Sequence, residues 1–263
     1  MIAELLDPLS RFQLDGKVAI VTGASSGLGE RFARVLDAVG ARVVVTARRA
    51  DRLATLAGAM TATAGNGPVV VPADLAVPED RERLVATTLA ECGRLDVLVN
   101  NAGVGLATAL EDETLDWFRS VMEVNVTAAW HLAKLARDAL IADGGGAIVN
   151  VASMLGQVGS TPVKQASYCA SKGAVINMTR ELALQFARRG VRVNALCPGW
   201  FPTEMTAGME SDQGAQRFID ANTPMRRMGD AHELDGALLL MATPAGSFLT
   251  GQTVTVDGGW TAR

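Results

Sequence analysis

The sequence has few aromatic residues, few cysteines and few histidines, and these shortages exclude several classes of protein. Aromatic residues make up 5% of the 263 residues. Cys92, Cys169 and Cys197 are odd in number and lack metal-binding or redox spacing, so a disulfide framework is disfavoured. The two histidines, His131 and His232, lie too far apart in sequence to suggest a metal cluster. We therefore expect no bound metal.

The chain also lacks a strong positive charge and a long apolar run. Its formal net charge of −4 offers no large positive field to a nucleic acid backbone. No apolar run approaches the ~20 residues that a membrane-spanning helix needs. The first residues, MIAELLDPLSRF, lack the basic region and apolar core of a secretion signal. These absences predict a cytoplasmic protein with neither a membrane nor a nucleic acid as partner.

Short β-rich runs recur along the chain and are separated by segments of helical periodicity. The runs span 17–23, 41–47, 67–75, 95–103, 146–153, 191–199 and 252–259. Helical segments include 31–39, 79–92, 116–141 and 170–189. Nearly continuous apolar strands alternating with helices indicate a parallel sheet with right-handed crossovers. We predict a doubly wound, Rossmann-like α/β fold with a seven-stranded parallel sheet, in a single domain over 1–263.

The alternation lapses at about 200–228, after the sixth predicted strand. This segment is rich in methionine, with Met205, Met209, Met225 and Met228. Ligands of open α/β sheets bind beyond the carboxyl ends of the strands. We therefore predict that 200–228 is a lid over the substrate.

A glycine-rich turn follows the first predicted strand. In TGASSGLG, Gly23, Gly27 and Gly29 permit a sharp turn and a close approach of the backbone to a ligand. The N-terminus of the next helix would offer N–H groups to a pyrophosphate, and Ser25 and Ser26 add hydroxyl groups. A strand-to-helix turn without a ligand is the alternative, but this placement favours dinucleotide binding.

Two arginines follow the second predicted strand. An acidic residue here usually binds the adenosine ribose of NAD, whereas an arginine accommodates the 2′-phosphate of NADP. This chain has Ala47, then Arg48 and Arg49. Because a guanidinium binds phosphate through two parallel hydrogen bonds, the sequence favours NADP(H), with NAD possible. The alternative is that both arginines begin a solvated helix.

The third and fourth predicted strands end in further candidate contacts. Asp74 either accepts a hydrogen bond from adenine or starts a helix, and its sequence alone does not decide between the two. Asn101, Ala102 and Gly103 follow the fourth strand, where small residues would let a cofactor lie flat over the strand ends. A tight turn without a ligand is the alternative.

A serine, a tyrosine and a lysine have the chemistry that carbonyl reduction needs. Tyr168 and Lys172 are four residues apart, so they share one face of a helix. A phenol titrates near pH ~10, and an ammonium at ~4 Å would stabilise the phenolate by about 4 kcal/mol at an effective dielectric of ~20. We therefore predict a lowered phenol pKa and a general acid. Ser153, at the end of the fifth strand, would bind the substrate oxygen. Asn125 either holds a water or is an ordinary satisfied amide.

In this order, the motifs TGASSGLG, DVLVNNAG, Ser153…Tyr168-x-x-x-Lys172, VNALCPG and TGQTVTVDGG resemble the short-chain dehydrogenase/reductase family. The resemblance runs from about Leu14 to Gly259. It implies that Tyr168 is the general acid/base, that Lys172 lowers its pKa and binds the nicotinamide ribose, and that Ser153 orients the substrate. It further implies that Asn125 holds a water of a proton relay.

The resemblance also implies additional cofactor contacts and a homo-oligomer, usually a tetramer and sometimes a dimer. It assigns Asp74 to adenine, and Pro198, Gly199, the backbone near Phe201, and Thr203 to the carboxamide. The predicted cofactor-binding set is Gly23, Ser25, Ser26, Gly27, Leu28, Gly29, Arg48, Asp74, Leu75, Asn101, Ala102, Gly103, Tyr168, Lys172, Pro198, Gly199, Phe201 and Thr203.

The substrate is open at this level. The 14 residues between Ser153 and Tyr168 exceed the commonest family spacing and border the predicted pocket. Met154, Leu155, Trp200, Phe201 and the methionine-rich lid favour an apolar carbonyl substrate, although the same residues are equally compatible with a core. A 3-oxoacyl thioester, a cyclic or steroid-like ketone, or a small diketone fits, and polyols are disfavoured. We expect an NADP-dependent oxidoreductase acting mainly as a reductase; a catalytically idle cofactor-binding sensor or scaffold is the alternative.

Overall fold

The computed structural model describes residues 7–61, 63–209 and 211–262, and its centre is a sheet of seven parallel strands. The strand order is β3-β2-β1-β4-β5-β6-β7. The strands are β1 (Val18–Thr22), β2 (Arg42–Thr46), β3 (Val69–Val70), β4 (Val97–Asn100), β5 (Ala147–Val151), β6 (Arg192–Pro198) and β7 (Thr253–Val256). This order reverses direction beside β1, as in doubly wound folds, and confirms the predicted Rossmann-like architecture.

The central strands are buried on both faces, which explains their continuous apolar sequences. All five residues of β1 are buried, and Ile20 pairs with Val44 of β2 and with Leu98 of β4. A strand in which apolar and polar residues alternate can bury only one face. These strands pack against helices on both faces, so all of their residues are apolar or buried.

Helices cover both faces of the sheet. They are α1 (Gly27–Ala38), α2 (Ala50–Gly58), α3 (Pro78–Cys92), α4 (Leu115–Met122), α5 (Ala128–Leu135), α6 (Arg137–Ile141), α7 (Ala166–Ala187), α8 (Gln213–Asn222) and α9 (Asp235–Ala242). Phe32 of α1 and Leu238 of α9 pack in the core on one face. Leu84 of α3, Leu132 of α5 and Phe186 of α7 pack in the core on the other. Each face thus has its own apolar layer.

The single helix predicted over 116–141 is wrong in detail. The chain forms α4, then a π-helical turn at Glu123–Thr127, then α5 and α6. A π-turn inserts an extra residue into a helix and is frequent at functional sites. Apolar periodicity, which is judged over windows of about 11–18 residues, does not resolve a turn of five residues.

Two further segments differ from the sequence prediction. The strand predicted over 67–75 is reduced to Val69–Val70, although Val71 and Ala73 still donate backbone hydrogen bonds to the β2 side of the sheet. β3 is an edge strand that pairs only with β2, and its regular hydrogen-bond pattern covers two residues. The 200–228 segment contains α8, whose first turn is capped by the Asp212 carboxylate. Among the described residues, no helix combines the length and apolar character that crossing a bilayer requires.

Candidate active site

A cavity of about 740 Å³ lies at the carboxyl edge of the sheet, where β1, β2, β4, β5 and β6 end. Every residue of the predicted cofactor-binding set lines this cavity, and so does Ser153. Asn125 does not line it. The structure therefore brings the predicted nucleotide contacts and the predicted acid together in one space, of the size usual for ligand sites.

The glycine loop after β1 is packed so closely that side chains are excluded. Gly23 has a φ of +66°, and a Cβ there would lie 2.9 Å from the Cα of Ala102. A Cβ on Gly29 would lie 2.2 Å from the carbonyl oxygen of Gly23. The Ser26 side chain makes no capping hydrogen bond to α1. A close approach of a pyrophosphate to this loop and helix N-terminus stays a prediction.

Asn101 and Ala102 fasten the end of β4 to the start of this loop. The Asn101 side chain donates a 2.8 Å hydrogen bond to the carbonyl oxygen of Thr22. The backbone N–H groups of Asn101 and Ala102 both donate to the Thr22 hydroxyl, at 2.9 Å each. Asn101 therefore supports the glycine loop from beneath, beside the cavity wall.

The two arginines after β2 take different positions. Arg48 is exposed at the cavity wall. Arg49 reaches across the glycine loop, where its Nη2 donates to the hydroxyls of Ser25 at 2.9 Å and Ser26 at 2.8 Å. It also pairs with Glu204 at 2.8 Å. The predicted cofactor-binding set included Arg48 but not Arg49, and the contacts of Arg49 with the glycine loop and with Glu204 were not predicted.

Asp74 lines the cavity and also stabilises a local turn. Its Oδ1 accepts a 3.0 Å hydrogen bond from the backbone N–H of Ala76. Its own N–H donates to the Asp80 carboxylate at 2.7 Å. Asp74 therefore closes a turn ahead of α3, which begins at Pro78, and does not start that helix as the alternative proposed; the adenine contact stays a prediction at a position that lines the cavity.

Tyr168 lies in the first turn of α7, close to Ser153, which follows β5 by two residues. Burial raises the pKa of the phenol to about 12, and an interaction with the Ser153 hydroxyl opposes part of that rise. The Ser153 oxygen also accepts a 3.1 Å hydrogen bond from the N–H of Leu155, which fixes its position. The predicted lowering of the phenol pKa is wrong for the protein alone, because desolvation by burial is the largest influence on this group.

Lys172 is buried rather than solvated. Its side chain is on the same face of α7 as Tyr168, with Nζ 5.6 Å from the centroid of the tyrosine ring. Nζ donates a 2.8 Å hydrogen bond to the carbonyl oxygen of Val151. Burial lowers the pKa of Lys172 to about 8, which leaves the ammonium mostly protonated at neutral pH. The spacing of four residues thus correctly predicted a shared helix face.

Asn125 lies in the π-turn behind the cavity wall and holds that wall in place. Its Oδ1 accepts from the N–H of Val104 at 2.8 Å, and its Nδ2 donates to the Val104 carbonyl oxygen at 2.9 Å. Nδ2 also donates to the Ser171 hydroxyl at 2.9 Å. A Cβ on Gly103 would lie 3.3 Å from Asn125 Oδ1 and 3.4 Å from Lys172 Nζ. Asn125 is therefore an amide with hydrogen-bond partners, and it lies beside Gly103, as does the ammonium of Lys172.

The cavity lining also contains apolar side chains outside the predicted cofactor-binding set. Among them are Val104, Val163, Met205 and Met209, and the amide of Gln165 lines the cavity too. Of these residues, only the methionines were predicted from the sequence. Val104 and Val163 come from loops that show no sequence signal.

Phe201 lines the cavity but packs its ring into the core. It is buried with the core layer that contains α1 and α9. The residues predicted to form an apolar pocket thus fall into two groups, one at the cavity and one in the core. Met205 is half exposed at the cavity. The Phe201 side chain is core, as the alternative allowed.

Comparison with known proteins agrees with this geometry. A family model described as enoyl-(acyl carrier protein) reductase matches residues 23–261. The chain is 41% identical, over 97% of its length and 99% of the relative's, to galactitol 2-dehydrogenase (L-tagatose-forming) of Cereibacter sphaeroides.

Two solved structures share the fold over nearly all of the chain. One is a short-chain type dehydrogenase/reductase from Mycobacterium marinum, with a TM-score of 0.92, 33% identity, and coverage of 98% of this chain and 100% of that one. The other is a gluconate 5-dehydrogenase from Burkholderia cenocepacia in complex with NADP and tartrate, with a TM-score of 0.91, 33% identity and the same coverage. The chain belongs to the short-chain dehydrogenase/reductase family and is an enzyme that acts on CH–OH or C=O groups with a nicotinamide cofactor.

Proposed function

We propose that the protein is an NADPH-dependent reductase of a ketone with an apolar framework, and that Tyr168 donates the proton. The observation that carries this proposal is the placement of a buried lysine and a serine on either side of a phenol, in the cavity that the glycine loop lines. A cofactor-binding sensor would have no need of an acid at this position.

The phenol is set up as a proton donor. When bound, NADPH supplies a hydride to the carbonyl carbon, which leaves negative charge on the oxygen. With a pKa of about 12, Tyr168 is protonated at neutral pH and can give its proton to that oxygen. Ser153, held by Leu155, donates a hydrogen bond to the same oxygen and orients it. The Lys172 ammonium then stabilises the phenolate that remains.

The preference for NADPH follows from charge at the end of β2. Three arginines, Arg48, Arg49 and Arg52, gather near the loop, and Ala47 stands where an acid would favour NAD. A guanidinium matches a phosphate through parallel hydrogen bonds. Asp74, at the next strand end, remains our candidate for the adenine contact. Pro198, Gly199 and Thr203 remain candidates for the nicotinamide.

The apolar part of the cavity lining supports an apolar substrate, with 200–228 as the proposed lid. Val104, Val163, Met205 and Met209 offer contact area but few fixed polar groups. A 3-oxoacyl thioester, a cyclic ketone or a small diketone suits such a wall. A polyol or ketose is the second candidate, because a relative 41% identical over nearly the whole chain is named as a galactitol dehydrogenase.

A carbonyl panel with both reduced cofactors tests the proposal. A 3-oxoacyl thioester, a decalone-type cyclic ketone, a small diketone and a ketose are each incubated with NADPH or NADH, and cofactor oxidation is followed. We expect turnover with NADPH and an apolar ketone. Turnover only with the ketose would overturn the substrate class, and a preference for NADH would overturn the cofactor. Cofactor binding without turnover of any carbonyl or alcohol would favour the sensor.

The oligomeric state is a separate expectation. Homo-oligomerisation as a tetramer or a dimer remains a proposal from family resemblance, and light scattering coupled to size-exclusion chromatography tests it.

The proton relay through Asn125 also remains a proposal. Asn125 Nδ2 donates to Val104 and Ser171 and its Oδ1 accepts from Val104, so a water would bind the remaining acceptor position of Oδ1 or other atoms of the π-turn.

A further inference from the structure

Glu204 connects the proposed lid to the arginines of the adenosine end. It lies in the short helical turn Glu204–Thr206, just after Thr203. Its carboxylate receives Arg49 through two parallel hydrogen bonds, Nη1 to Oε1 at 2.8 Å and Nη2 to Oε2 at 2.9 Å. Arg52 Nη1 donates to Oε1 at 2.5 Å. A single carboxylate therefore binds two guanidinium groups.

The Arg49–Glu204 pair has the paired geometry in which a guanidinium also binds a phosphate. Arg49 additionally holds the hydroxyls of Ser25 and Ser26 in the glycine loop. The cavity is lined by Arg48, Arg49 and Glu204 together. A carboxylate thus occupies the guanidinium face that the proposed function assigns to the 2′-phosphate.

We propose that Glu204 is a specificity-determining residue that acts as an internal substitute for the 2′-phosphate of NADP, so that the phosphate must displace it from Arg49 and Arg52. This inference rests on the proposed cofactor. The displacement releases the 203–206 turn from the β2 end of the cavity. Binding of a 2′-phosphate is thereby coupled to the position of the lid, whereas binding of a nucleotide without that phosphate leaves the pair intact.

The pair is suited to reversible exchange. The side chains of Arg49, Arg52 and Glu204 are 39%, 50% and 52% exposed, and ion pairs this exposed stabilise a protein only weakly. A phosphate monoester carries about −1.5 to −2 charges at neutral pH, against one on a carboxylate. The paired arginines hold the pKa of Glu204 at about 2, so the carboxylate competes across the physiological pH range.

The 203–206 turn, which carries Glu204, packs closely against the glycine loop. A Cβ built on Gly27 would lie 3.4 Å from Cβ and from Cγ2 of Thr203, so the turn that carries Glu204 rests on the glycine loop. Within the turn, Thr203 N–H donates to the Thr206 hydroxyl at 2.9 Å. Movement of Glu204 therefore moves a turn that covers the phosphate-binding loop.

Calorimetric titration with adenosine 2′,5′-bisphosphate and with adenosine 5′-monophosphate tests the inference without any turnover. In E204Q we expect affinity for the bisphosphate to rise about 3- to 10-fold while affinity for the monophosphate is unchanged. The matched control is E233Q, because Glu233 forms an equally paired, exposed contact with Arg227 away from the cavity. E233Q should change neither affinity.

Hydrogen exchange of the 203–209 backbone supplies a second readout. In the wild type, the bisphosphate should speed exchange in this segment and the monophosphate should not; in E204Q the two ligands should give the same result. Unchanged or weaker bisphosphate binding by E204Q would overturn the inference, and so would equal exchange with both ligands in the wild type. If the wild type bound neither nucleotide, the proposed function itself would fail.

Discussion

The ammonium of Lys172 donates a 2.8 Å hydrogen bond to the carbonyl oxygen of Val151, the last residue of β5. This bond holds a buried charge at the edge of the sheet, two residues before Ser153. The lysine is thus tied to the strand that presents the serine and to the helix that presents Tyr168. Three residues of the proposed chemistry share one rigid corner of the fold.

Replacing Lys172 with methionine should raise stability at neutral pH. Burial lowers the pKa of Lys172 from 10.5 to about 8, so the unfolded chain binds a proton that the folded protein releases in that window. Wild-type stability therefore carries a cost below about pH 8 that disappears as pH rises towards 10.5. We expect K172M to be more stable by on the order of 1–3 kcal/mol near pH 7.

Urea unfolding of both proteins across this pH window measures the effect. The difference between K172M and the wild type should shrink as pH rises. A difference that stays constant with pH would contradict a lowered lysine pKa. The exposed Lys134→Met, on α5, is a control that should show no such trend.

Replacing Asn125 with alanine should loosen the wall between Gly103 and Val104. The change leaves both the N–H and the carbonyl oxygen of Val104 without their side-chain partner. We expect a loss of about 1–3 kcal/mol in unfolding free energy together with reduced kcat. Ser171→Ala removes one of the three hydrogen bonds and should cost less. Equal stability of the two variants would contradict the role assigned to the Asn125 amide.

Replacing Gly29 with alanine should abolish cofactor binding. The new Cβ would lie 2.2 Å from the Gly23 carbonyl oxygen and 2.5 Å from Asn101 Nδ2, so the glycine loop must shift. Overpacking of this kind costs about 1–3 kcal/mol of stability. Gly236→Ala in α9 meets nothing within 4 Å and serves as the matched control. Normal NADPH affinity in G29A, measured by fluorescence titration, would rule out the loop as the pyrophosphate site.

The rates of the two reaction directions should differ in their dependence on pH. Reduction needs a protonated Tyr168, and a phenol with a pKa of about 12 stays protonated, so its kcat should be flat from about pH 6 to about pH 7, below the pKa of about 8 at which Lys172 loses its charge. Oxidation of the matching alcohol needs the phenolate, and its kcat should rise with pH over the same range. Stopped-flow measurement of both directions checks this. A reduction rate that falls with a midpoint near pH 7 would contradict the raised phenol pKa.

The sheet and the glycine loop were predictable because their constraints are local. Strands buried on both faces must be apolar throughout, and a backbone contact such as Gly29 on Gly23 demands glycine. The spacing of Tyr168 and Lys172 fixes a shared helix face whatever surrounds it. These features need no knowledge of long-range contacts.

The parts that sequence missed depend on long-range packing. Arg49 meets Glu204 across 155 residues, and nothing in either local sequence announces the pair. The depth at which α7 is buried decides that desolvation, rather than the lysine, governs the Tyr168 pKa. The π-turn around Asn125 spans only five residues, which is too short for apolar periodicity to detect.

The most direct test of the proposed chemistry is Tyr168→Phe, which removes one oxygen and leaves the ring. NADPH affinity is measured by fluorescence titration, and kcat by NADPH oxidation with the best ketone of the panel. We predict NADPH affinity close to that of the wild type and a kcat lower by about 100- to 10,000-fold. A kcat within about tenfold of the wild type would contradict the assignment of the proton to this phenol.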